Sequence, residues 1–126
     1  MKWSIIIAIV KRSFLLIKFK KINMENKSDA IEQFVSQLVA EKKFENLLPE
    51  VLNQIHEDLY SRVEDRINAV ILNNLPEENA DEFDALLDVG DPEAISTYCH
   101  EKIGNMDQLI AGELLAFRNT YLGTGE

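Results

Sequence analysis

Two short clusters hold the side chains best suited to gripping a metal or moving a proton: His56-Glu57 and Cys99-His100-Glu101. Both fall in segments with helical patterning, and neighbouring residues on a helix point about 100° apart. Cys99 and His100 therefore diverge rather than share an ion. Cys-x-x-Cys, His-Glu-x-x-His and paired Glu-x-x-His spacings are absent. The sequence thus predicts no metal site and no cofactor, with Cys99 a small buried hydrophobe and His100 a surface residue. Ser28, Ser36, Ser61 and Ser96 lack the Gly-x-Ser-x-Gly elbow that would expose a nucleophile, and there is no glycine-rich phosphate loop. Nothing here predicts an enzyme, and a metal-dependent one is the remotest reading.

Charge is the more informative chemistry. Glu77, Glu78, Asp81, Glu82, Asp84, Asp88, Asp91 and Glu93 crowd one stretch. No window in it follows the Asp, Gly and Glu order of a calcium-binding EF-hand loop. Phe83, Leu86 and Leu87 recur at helical spacing, so the carboxylates decorate a helix surface. Such a surface is either merely solvated or a docking face for a basic partner, with Asp81, Glu82 and Asp88 the residues to carry it. Arg62 and Arg66, four apart on another helix, form a second candidate partner site for an acidic group. Their competing role is internal pairing, Arg62 with Asp58 and Arg66 with the acidic helix.

The 126-residue chain has a net charge of −9, distributed unevenly. Residues 1–23 hold Lys2, Lys11, Arg12, Lys18, Lys20 and Lys21 and no acid; residues 24–126 hold seven cations against all 22 carboxylates. So acidic a body is repelled by phosphate backbones, and nucleic acid is not an expected partner. One cysteine excludes an internal disulfide and fits a reducing, cytoplasmic setting.

From Met24 onward, five helical segments are punctuated by caps and breakers, giving an all-α class and a compact bundle. The first, 28–43, opens at Ser28 or Asp29 and carries Ile31, Phe34, Val35, Leu38 and Val39 on one face. The second, 49–75, starts at Pro49 and is striped by Leu52, Ile55, Leu59, Val63, Ile67, Val70 and Ile71. The third spans 76–89 and ends at Gly90. The fourth, 91–103, has Asp91 as N-cap, and the fifth, 105–122, is expected to be capped by Asn105 and closed by Gly123. No period-two alternation suggests a strand. The second and last helices are expected to be the organising pair.

Residues 1–23 read as a separate, basic, apolar extension. Its apolar runs, Trp3–Val10 and Phe14–Ile17, are split by Lys11-Arg12 and fall short of the roughly 20 residues a spanning helix needs. The charge order is also wrong for a secretory signal. Two readings stand. The segment is a membrane-surface anchor, or translation properly begins at Met24, where the Ile, Lys, Phe and Asn bias stops abruptly.

The run Asp91-Pro92-Glu93, Ile95, Tyr98, Lys102-Ile103-Gly104-Asn105, Leu109-Ile110, Glu113-Leu114, Phe117-Arg118 and Tyr121-Leu122-Gly123 resembles domain of unknown function 5663, a family of short helical bacterial proteins. The likeness covers about residues 28–123. Where that family commonly reads Ile-Pro-Asn, this chain has Ile103-Gly104-Asn105. The resemblance implies a helical architecture and a bacterial cytoplasmic setting, and it brings no catalytic residues. Taken together, the sequence predicts a non-enzymatic domain that binds another protein or itself, with peripheral membrane attachment through residues 1–23 as the alternative.

Overall fold

The computed structural model describes residues 2–123, with side chains from Val10 onward. Six α-helices follow in order: α1 (Lys2–Glu25), α2 (Asp29–Lys42), α3 (Pro49–Asn74), α4 (Ala80–Val89), α5 (Pro92–Lys102) and α6 (Met106–Leu122). No strand occurs among the described residues. The all-α class is as the periodicity implies. The sixth helix is the basic N-terminal segment, which is not separate from the bundle but packs against α3 and α4.

The local chemistry of the helix ends is largely the expected one. Ser28 caps α2, its Oγ accepting from the Ile31 N–H, and Asp91 caps α5, its carboxylate accepting from the Glu93 N–H. Pro49 and Pro92 occupy first-turn positions where no donor is needed. Gly90 (φ 79°) and Gly123 (φ 74°) end α4 and α6 in the left-handed conformation. Two ends differ from expectation. Asn105 precedes α6 without a side-chain cap bond, and the expected helix 76–89 begins as a single 3₁₀ turn, Glu77–Asn79, before α4 proper. Between α2 and α3 the chain reverses through Lys43 (φ 53°) and Asn46 (φ 60°), both left-handed without being glycine.

At about 1.5 Å per residue, the 26 residues of α3 reach roughly 39 Å, and this helix is the spine. It packs against α1, α2 and α6. Pairings fix the directions. Tyr60 meets Ser28 while His56 meets Ser36; Lys20 meets Asp65 while Lys11 and Arg12 lie by Leu75 and Pro76. Both α1 and α2 thus run antiparallel to α3. Around the N-terminal half of α3, Val35, Leu38, Leu59, Tyr60, Val63 and Phe117 form one apolar cluster. Around its C-terminal half, Leu15 and Phe19 of α1 join Ile71, Leu72, Phe83, Leu87, Ile95 and Cys99 in a second. Ile67 packs against both. Phe19 is 4 % exposed and stands edge-on to fully buried Phe83, ring centroids 5.3 Å apart.

Candidate functional site

The acidic helix is already answered from within the chain. Lys11 pairs with Asp81, and Lys18 bridges Asp84 (2.6 Å) and Asp88 (2.8 Å). These contacts follow from register: Lys11 and Lys18 are seven apart on the face of α1 that also carries Leu15, so apolar and cationic groups meet α4 together. Paired carboxylates hold the Lys18 ammonium above its ordinary pKa, Asp84 first and Asp88 second. Glu82 accepts from the Tyr98 hydroxyl (2.8 Å) and the Asn79 amide (3.1 Å), and these bonds lower its pKa. The Tyr98 phenol is pushed up to about 12, by desolvation first and then by Glu82.

The arginine pair divides. Arg62 binds Asp58 at 3.1 Å, one turn back on α3, as its spacing implies. Arg66 does not reach the acidic helix. It pairs with Glu113 of α6 at 2.9 Å, with its guanidinium 5.7 Å from the centre of the Phe117 ring, because α6 rather than α4 lies along that face of α3. All five residues singled out as partner contacts, Arg62, Arg66, Asp81, Glu82 and Asp88, thus have partners inside the molecule.

The ligand-type clusters separate as well. Cys99 is buried in the second core cluster, and desolvation lifts its thiol to about 11. His100 is exposed, with Nδ1 2.9 Å from the Ser96 carbonyl and Nε2 3.0 Å from Asp107. The Ser96 carbonyl first, and Asp107 second, raise its pKa. His56 bridges α3 to Ser36 and Glu32 of α2.

Outside these groups lies the least expected arrangement. Glu64 and Asn68 of α3 are each 1 % exposed, at the level of the spine where the two apolar clusters meet. The Asn68 carbonyl accepts from the Asn23 amide of α1 at 2.8 Å, but both Glu64 oxygens and Asn68 Nδ2 have no hydrogen-bond partner among the described residues. Burial pushes the Glu64 carboxyl above its ordinary value, with Lys20 pulling the other way. Sequence patterning missed this pair because it sorts Glu and Asn outward by type. The available signal was spacing: Tyr60, Glu64, Asn68 and Leu72 recur every fourth residue beside the apolar stripe, and all four are buried.

Residues 38–120, more than half of the chain, match the family model described as Protein of unknown function (DUF5663). The chain belongs to this family. The match runs from the C-terminal part of α2 into the last turn of α6, so Glu64 and Asn68 fall inside it, and α1 falls outside. No curated protein and no solved structure matches the chain. Among the described residues, no helix is long and apolar enough to cross a membrane.

Proposed function

We propose that this DUF5663 protein is a non-enzymatic interaction module that associates with a second copy of itself through the outward face of α1. One observation carries the reading. While Leu15 and Phe19 of α1 are buried, Val10, Phe14 and Ile17 are 47 %, 62 % and 66 % exposed. These three, with exposed Lys21 and Met24, recur at alternating spacings of four and three. That is the period of a helix-pairing seam rather than of a broad apolar face. Single exposed apolar residues are ordinary, whereas a row of them along one helix marks a contact surface. The charges of α4 and the Arg62–Arg66 face are engaged internally, and although Phe44, Leu47, Leu48 and Val51 are also exposed, only the α1 strip among the described residues lies along a single helix at seam spacing.

Sedimentation equilibrium of the full chain tests this. The expected result is reversible dimerisation, abolished by Phe14→Glu with Ile17→Glu while the helical circular-dichroism signal and melting temperature hold. A monomer at the highest attainable concentration would refute it. A second reading has its own support: exposed Arg12 beside the strip and Lys21 within it suit anionic headgroups, as in a membrane-surface helix. Co-sedimentation of the monomer with anionic phospholipid vesicles, lost in the double variant, would favour that reading over self-association.

A further inference from the structure

We propose that the space beside Glu64 and Asn68 is a binding site for a small amine: an ammonium head on an apolar body of about phenethyl size. The inference is independent of the α1 seam. A cavity of about 240 Å³ lies at the junction of the two apolar clusters, and both residues line it. Its remaining walls include Phe19, Ile67, Ile71, Ile95, Cys99 and Ile110. Small-molecule sites have this composition: mostly apolar walls and a few convergent polar groups that fix orientation. Exposed Asn26, Pro92 and Ser96 also contribute to the lining, which places the entrance between the end of α1 and the start of α5.

The polar groups specify the ligand. A buried carboxylate whose two oxygens lack any donor is costly to keep ionised, and a cation with several N–H groups answers both oxygens at once. Among the described residues, no side chain supplies that cation. Lys20 ends on Asp65 (2.8 Å) and Ser61 (3.2 Å), and Lys27 sits over the Tyr60 ring, 5.2 Å from its centre. An ammonium group offers three donors where none of the described residues donates to Glu64, and Asn68 Nδ2 can donate to a hydroxyl or water beside it. Size agrees with this class. A cavity of about 150 Å³ accommodates benzene, so the larger volume here admits a ring with a short aminoalkyl arm. The net charge of −9 raises the local concentration of cations over anions.

The test is calorimetric titration of the full chain with phenethylamine, phenethyl alcohol and phenylpropionate, read in parallel by isoleucine methyl resonances. The amine is expected to bind at least about tenfold more tightly than the alcohol, the carboxylate not at all, and the methyls of Ile67, Ile71, Ile95 and Ile110 to move. Glu64→Gln keeps the side-chain shape and should bring the amine down to the affinity of the alcohol. Ser96→Phe, on the exposed rim, should weaken the amine without touching the core, so a result does not depend on one variant folding. Equal affinity for amine and alcohol would overturn the proposal. So would equal amine binding by wild type and Glu64→Gln, or unmoved methyls, which would mean that the cavity holds water only.

Discussion

Two polar regions of this small bundle are opposites. Along the α1–α4 seam, lysines and carboxylates are numerous, partly exposed and matched one against another. At the mid-point of α3, one carboxylate and one amide are buried and largely unmatched. The seam concentrates the charge density that a sequence displays most loudly, yet its groups are occupied. The α3 site is a single glutamate that pattern reading passes over. Charge abundance here marks where the surface is tied together, whereas the buried pair carries polar atoms that no described residue satisfies. The physical reason is dielectric. Exposed pairs gain little because water competes for them, while a buried group without a partner loses its full hydration.

That contrast can be broken by substitution. The largest expected effect belongs to the apolar anchor of the seam, not to its charges. Phe19→Ala removes a ring packed on Phe83 and should cost about 3–5 kcal/mol in chemical denaturation. Removing residues 1–23 altogether, which deletes Leu15 as well as Phe19, should cost more still. If that truncation melts like the full chain, α1 is not part of the core.

Next comes Glu64→Gln, with the opposite sign. A carboxyl whose pKa is raised in the folded state binds more protons folded than unfolded, so stability falls as pH rises from the ordinary glutamate value through the raised one. Above that window the variant should be more stable than wild type by about 1–3 kcal/mol, and near pH 3 the gain should vanish. A destabilised variant at neutral pH would mean that Glu64 has a donor in solution.

Smaller effects sharpen the seam. Lys18→Ala leaves Asp84 and Asp88 unpaired and should lower the melting temperature slightly at low salt and not at high salt, as expected for exposed ion pairs. His100→Gln should have the least effect. The histidine pKa is raised, so its contribution is complete below the unfolded value of about 6.5 and disappears as pH rises through the folded one. Comparing His100→Gln with wild type across that range should show a difference confined to the acid side, within about 0.5 kcal/mol for so exposed a pair.

How much of this was legible beforehand follows from the residues. The helices from α2 to α6 were announced by caps and stripes: Ser28, Pro49, Gly90, Asp91 and Gly123 all act where local chemistry places them. Membership of α1 in the bundle was not. Its inward stripe is short, Leu15 and Phe19 with partly buried Ile22, and Lys11 and Lys18 share that side of the helix. Those lysines look like solvent-facing residues until the carboxylates of α4 are set opposite them, and that is tertiary information. The same holds for Arg66, whose partner Glu113 lies 47 residues away on α6.

The reversal between α2 and α3 has a consequence for where the molecule opens. Lys43 and Asn46 occupy left-handed backbone, which costs Lys43 about 1 kcal/mol or more and Asn46 less, because its short amide side chain tolerates that region. Packing of Val35 and Leu38 with Leu59 and Tyr60 offsets that strain, whereas residues 41–50 at the tip are exposed throughout, so the α2–α3 pair is expected to fray from its tip first.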